Sequence, residues 1–170
     1  TPHVTLADAF RAEPSQIIEV FETIPNVPYV NLADSVGART PASVQTHLDA
    51  LEDDLAFDRI GVHFHDDMGC ATANTLAAYH AGVGKADVSI ASLGERAGNS
   101  SLEEVIVACT VDNNDDLEIK TDNLIPVCRE VLNTLDEEWG NRKAILGEEI
   151  SEHESSIHTA AMLANPATLE

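Results

Sequence analysis

Basic residues are scarce. Nine lysines and arginines stand against 30 aspartates and glutamates in 170 residues, a formal charge of −21, and only Lys85, Lys120 and Lys143 among the nine are lysines. A surface this acidic repels phosphate, which argues against nucleic acid as a partner, because such binding depends on Lys and Arg neutralising the backbone. No apolar run approaches the length of a bilayer span, and Thr1 to Asp8 have neither the basic start nor the apolar stretch of a signal peptide. The expectation is a soluble, cytoplasmic protein with no membrane partner. Cysteine is also sparse: Cys70, Cys109 and Cys128 are odd in number and form no C-x-x-C pair. They fit reduced, buried thiols better than a disulfide frame or a thiolate zinc site.

What is present is a globular composition. At 44% hydrophobic residues, a chain of this length can bury one sizeable core. The acids are spread between apolar positions rather than gathered in a tail, so they read as solvated faces. Adaptation to high salt, where screening relieves self-repulsion, accounts for such a surface.

In chain order, Val4 to Leu6 is a short apolar run and Asp8 to Pro14 a loop. Ser15 to Ile24 reads as a helix that Ser15 caps, and Val27 to Leu32 as a buried strand. Pro41 to Leu55 has helical spacing at Val44, Leu48 and Leu51, with Thr40 as N-cap and Pro41 at the first helical position. Cys70 to Gly82 is an Ala-rich helix that stops at glycine, and Ala86 to Ser92 alternates as a strand. After the loop Leu93 to Asn99, Ser100 to Val111 reads as a helix with a capping box from Ser100 to Glu103. Asp122 to Trp139 is one more helix, with Leu124, Val127, Val131 and Leu135 on a face, and from Gly140 onward a connector leads toward His158. The class is α/β: four βα units in succession predict a parallel sheet, either half of an eight-fold barrel or a small doubly wound sheet, with its chemistry at the strands' C-terminal ends.

The densest chemistry lies in Ile60 to Ser100. Ile60, Val62 and Phe64 alternate with Gly61, His63 and His65, so a strand here carries both imidazoles on one face. Asp66 to Gly69 are turn formers, which puts the imidazoles at the strand's C-terminal end. His3, His47 and His80 have no partners in sequence and read as surface residues. Glu95 and Arg96 read as a local ion pair shaping their loop.

Three runs carry a family resemblance: H-F-H-D-D-M-G-C-A-T-A-N-T-L-A-A from His63, G-E-R-A-G-N-S-S-L-E-E-V from Gly94, and H-E-S-S-I-H ending at His158. With A-D-A-F-R at Ala7 and L-A-D-S-V-G at Leu32, they resemble, in order, the isopropylmalate, citramalate and homocitrate synthase family. That resemblance implies parallel (β/α) units forming the second half of a TIM barrel. Residues 1–139 are then the half barrel with an extra helix, and 140–170 the start of a helical linker. It implies Claisen condensation of acetyl-CoA with a 2-oxo acid, leucine-pathway isopropylmalate synthesis first, and a divalent metal cofactor, zinc, manganese or magnesium. By the same resemblance His63, His65 and Asn99 are metal ligands, Asp67 orients one of the histidines, Ser35 holds the oxo acid and His158 serves the acid/base step.

Each assignment has a plainer competitor: Asn99 as a helix cap, Ser35 as a turn residue, His158 as a surface residue. Two departures from the family pattern stand out. The arginine and metal-ligating aspartate of the family's opening strand have no counterpart after Thr1, and Ala7 stands where the family usually carries a substrate-contacting glutamate. A half barrel leaves two sheet edges open, so the expectation is a fragment or a subunit that forms a homo-oligomer or joins an N-terminal half barrel. The family's related lyases carry a cysteine in the Gly-rich loop where this chain has G-E-R-A-G-N, which favours condensation over carbon–carbon cleavage. A non-catalytic remnant is the competing class.

Overall fold

In a computed structural model, residues 3–24, 27–112, 117–152, 155 and 163–165 are described. Four strands, β1 (Val4–Leu6), β2 (Val30–Asp34), β3 (Ile60–Phe64) and β4 (Lys85–Asp87), form one sheet in the order β1-β2-β3-β4. All three pairings are parallel. The helices are α1 (Pro14–Thr23), α2 (Pro41–Asp49), α3 (Ala71–His80), α4 (Leu102–Asp112) and α5 (Leu124–Leu135). Strand therefore alternates with helix as the apolar periods predict.

Alternation along the strands divides the sheet into two unlike faces. Val30, Leu32, Ile60, Val62 and Phe64 are fully buried and join Phe10, Ile17, Val44, Leu48 and Leu51 in a core beneath the helices. Burying each such side chain contributes about 1.5–3 kcal/mol. The register sets Asn31, Gly61 and Lys85 in one row on the other face and Ala33, His63 and Asp87 in the next.

Local chemistry moves several boundaries. α1 starts at Pro14, and Glu13 rather than Ser15 is its cap, with the Glu13 N–H donating to Gln16 Oε1 at 3.1 Å. Proline fits this first position because its missing N–H would find no intrahelical acceptor there. Thr40 and Pro41 open α2 as predicted, but the helix ends at Asp49; Leu51 and Leu55 are buried in the turns beyond it. β4 stops at Asp87 because the next segment bonds elsewhere: the Ser89 N–H donates to the Ser100 carbonyl and the Ala91 N–H to Glu103 Oε2. A 3-10 turn, Ile90–Ser92, takes the place of the predicted end of the strand. Ser100 does not cap α4. Its hydroxyl bonds the Ala71 carbonyl and Thr75 instead, while Ser101 donates to Glu103.

The buried face of α5 is Leu124, Cys128 and Leu132, and Val127 and Leu135 are exposed. Counting Cys128 as apolar rotates the stripe away from the expected one. These residues, with Ile106 and the fully buried Leu146, form a second cluster against which Trp139 packs. Lys143 bonds Glu104, and Arg129 donates to the Leu146 carbonyl at 2.7 Å. Residues 140–147 are thereby tied to α4 and α5. Cys109 and Cys128 are buried thiols and Cys70 is partly exposed, none of the three in a disulfide. Among the described residues no helix is long and apolar enough to cross a membrane.

Candidate metal centre

His63 lies on β3 and His65 just past its end, and their rings stand 4.9 Å apart in an edge-to-face arrangement. The two-residue spacing on a strand produces this. His65 Nδ1 lies 3.0 Å from the Asp34 carbonyl oxygen. A carbonyl can only accept, so His65 carries a proton on Nδ1, and the tautomer this selects for the neutral ring has its lone pair on Nε2. Burial pushes the His63 imidazole below the ordinary histidine range, the neighbouring His65 adds to this, and Asp87 opposes both. His63 is therefore biased to the neutral form, the one that ligates metal.

Asn99 is brought to these rings by the main chain. It forms an antiparallel bridge with His65, and the Asp66 N–H donates to the Gly98 carbonyl at 2.8 Å. The Asn99 Nδ2 donates to the Leu93 carbonyl at 3.1 Å, whereas its Oδ1 is buried with no hydrogen-bond partner among the described residues. An orphaned buried amide oxygen is a costly feature unless something else occupies its lone pairs. No third His, Cys, Asp or Glu joins the two imidazoles as a metal cluster among the described residues; the third donor that the family resemblance implies is the Asn99 oxygen. Two neutral imidazoles and an amide oxygen suit a borderline to hard divalent cation.

The loop holding Asn99 is strained and tightly packed. Ala91, Ser92 and Arg96 all have positive φ, at 51°, 63° and 57°, a conformation that costs a non-glycine residue of order 1–3 kcal/mol. Gly98, at φ 92°, leaves no room for a Cβ beside the Ser92 carbonyl. Glu103 supports the loop from beneath: its fully buried carboxylate accepts from the Ala91 N–H at 3.0 Å and from the Ser101 hydroxyl at 2.5 Å.

Asp67 is placed differently from the expectation. Its carboxylate takes two hydrogen bonds from Arg96, at 2.8 and 2.9 Å, which hold it below the usual carboxylate range. The orienting contact on His65 comes from Asp34 instead. Arg96 also donates to the Ser35 carbonyl at 2.9 Å, so one guanidinium joins the loops after β2, β3 and β4; Glu95, at 3.9 Å, is a secondary partner. The Ser35 hydroxyl accepts from the Asp8 N–H at 2.8 Å, which brings Ala7 and Asp8 beside it. His158 lies outside the described residues.

Asn31, Lys85 and Asp87 had no signal in the sequence. Asn31 Nδ2 donates to Asp87 Oδ2 at 3.0 Å and Lys85 Nζ to Asp87 Oδ1 at 2.5 Å. The same Asp87 Oδ2 lies 3.6 Å from His63 Nδ1. His47 is half-buried rather than a free surface residue, its ring centroid 5.2 Å from that of Phe10.

Residues 2–131 match the HMGL-like family model. The chain is 35% identical over 171 residues to 2-isopropylmalate synthase of Nitratidesulfovibrio vulgaris, an alignment covering 96% of this chain and 33% of that protein. It is 37% identical over 141 residues to homocitrate synthase AksA of Methanocaldococcus jannaschii, covering 83% of this chain and 35% of the relative. The chain thus spans about a third of the length of these relatives. Among solved structures, the HMG-CoA lyase of Bacillus subtilis superposes with a TM-score of 0.73 at 25% identity, over 84% of this chain and 52% of that one.

Proposed function

The chain belongs to the HMGL-like family, and from that membership we propose that it carries part of the active site of an acyltransferase condensing acetyl-CoA with a 2-oxo acid. The observation that carries the reading is the orphaned Oδ1 of Asn99, a residue whose main chain forms a β-bridge with His65 beside the His63–His65 ring pair. When bound, a divalent cation supplies Lewis-acid polarisation of a keto group and a template for its neighbouring carboxylate. His63 and His65 hold it with neutral imidazole nitrogens and Asn99 with its amide oxygen.

The protein's own groups do the rest. Ser35 accepts from Asp8 and keeps its hydroxyl proton to donate to an oxo acid carboxylate. The Arg96 bridge pins three loops in one arrangement over the strand ends, so the reacting groups meet a preorganised rim. His158 is the candidate for proton transfer, since histidine titrates near neutrality. A base takes a proton from the acetyl methyl, the resulting carbanion attacks the keto carbon, and thioester hydrolysis releases CoA.

A 2-isopropylmalate synthase-like activity is the first reading, on 35% identity across 96% of the chain. A homocitrate synthase-like activity is the second, on 37% identity across 83%. The test is CoA thiol release from acetyl-CoA with 2-oxo acids bearing methyl, branched or carboxylate side chains, by the chain combined with an N-terminal half barrel from one of these relatives. Release that needs both substrates and is lost in His63→Ala/His65→Ala is expected, with the branched acid preferred. Thiol release unchanged in that variant, or absent from metal-loaded protein, contradicts the reading.

A further inference from the structure

Both candidate metal histidines need something to hold their second nitrogen. An imidazole that ligates through Nε2 carries its proton on Nδ1, and the acceptor facing that proton sets the tautomer and the ring's rotation. For His65 the acceptor is the Asp34 carbonyl. Among the described residues His63 has no such carbonyl; the oxygen facing its Nδ1 is Asp87 Oδ2, at 3.6 Å.

We propose that Asp87 is the positioning residue of His63, clamped by Lys85 and Asn31 so that the polar face of the sheet sets the affinity of the metal centre. The inference rests on the metal reading above and extends it to residues in contact with the ligand pair. Asp87 is not free to turn away. Lys85 Nζ holds Oδ1 at 2.5 Å, Asn31 Nδ2 holds Oδ2 at 3.0 Å, and Lys85 also reaches Asn31 Oδ1 at 3.5 Å. Two different donors on the two oxygens fix the plane of the carboxylate, and Oδ2 retains a lone pair for His63.

Strand register explains the arrangement. Asp87 is the cross-strand partner of His63, while Asn31, Gly61 and Lys85 occupy the row behind. A Cβ at Gly61 would overlap the Asn31 amide, so the glycine before His63 is what lets Asn31 lie across the sheet to reach Asp87. At 3.6 Å the Asp87–His63 contact is longer than a formed hydrogen bond. Ligation through Nε2 makes the Nδ1–H a stronger donor to that oxygen. The side chains of His63, Lys85 and Asp87 are 27%, 31% and 35% exposed, enough shielding from water for the contact to matter.

The experiment combines two readouts on the full chain and on its Asp87→Ala and Asp87→Asn variants, with folding checked by circular dichroism. The first is the His63 tautomer in metal-free protein, from long-range 15N NMR correlation. The second is manganese affinity by calorimetry. Expected for the wild type is the Nδ1–H tautomer. Asp87→Ala should shift His63 toward Nε2–H and weaken manganese binding by about 10- to 100-fold, the range found for outer-shell partners.

Asp87→Asn keeps an acceptor of the same shape and should restore the tautomer with a smaller loss of affinity, which a merely structural role would not produce. If Asp87→Ala does not fold, Asp87→Asn carries the test, and an unchanged affinity there overturns the proposal. Wild-type binding with Asp87→Ala unchanged in both readouts overturns the proposal alone. No manganese uptake by the wild type overturns the metal reading and this proposal with it.

Discussion

His47 shows how a single side chain ties stability to pH. Burial is the main cause that depresses its pKa below the ordinary histidine value of 6.5, the nearby Arg39 charge adds to it, and Glu13 opposes it. Its Nε2 is buried with no hydrogen-bond partner among the described residues. A histidine whose folded pKa is lowered takes up its proton more readily when unfolded, so stability falls as pH drops below about 6.5 and levels off once the folded form titrates. The expected result is a melting temperature that declines from pH 7 toward pH 5, with a shallower decline in His47→Gln. Asn99 offers a second test at this scale: Asn99→Ala removes an unsatisfied buried oxygen, so it should leave the metal-free protein's stability nearly unchanged while weakening metal binding at least tenfold. The His63–His65 pair was legible because a two-residue spacing on a strand admits one geometry. Asn31 was not, because its contacts with Lys85 and Asp87 reach across three strands at sequence separations of 54 to 56 residues, and nothing in local pattern records such a meeting.

Among the elements, the segment between β4 and α4 departs furthest from regular structure. Sequence alternation predicted a strand through Ser92, but Glu103 captures the Ala91 N–H and the Asn99 N–H donates to the Ser92 carbonyl, folding the segment back on itself. The alternation that signals a strand says nothing of a buried carboxylate eleven residues beyond its end. α5 gives a second case: its helix was legible from its period, but its buried face was not, because Cys128 and Leu132 rather than Val127 and Val131 meet the second cluster. The β4–α4 loop makes its own prediction. Gly98→Ala places a Cβ against the Ser92 carbonyl at a φ of 92°. The backbone penalty alone is about 1–2 kcal/mol, and the collision adds to it. Thermal unfolding should show a clear loss of stability, and metal affinity should fall because Asn99 is adjacent.

At the scale of the whole molecule, charge and sheet face pull on the same structure. A formal charge of −21 over 170 residues makes self-repulsion a destabilising contribution spread across the surface. Raising salt to about 1 M shrinks the screening length to about 3 Å, so the melting temperature should rise steeply with salt, and a flat response would contradict salt adaptation. A parallel sheet was legible from the succession of βα units, though its order β1-β2-β3-β4 was not, since a doubly wound sheet has the same succession; nor was the docking of Leu146 and Lys143 onto α4 and α5, since that connector has no periodic pattern. The sheet brings His63, His65 and the Asn99 bridge together at its C-terminal end, and the functional account depends on their acting as one metal centre. The most direct test is calorimetric titration of zinc, manganese and magnesium in high salt, into the chain and into His63→Ala/His65→Ala. One saturable site in the wild type that disappears in the variant is the result expected; equal binding to both, or binding to neither, would contradict it.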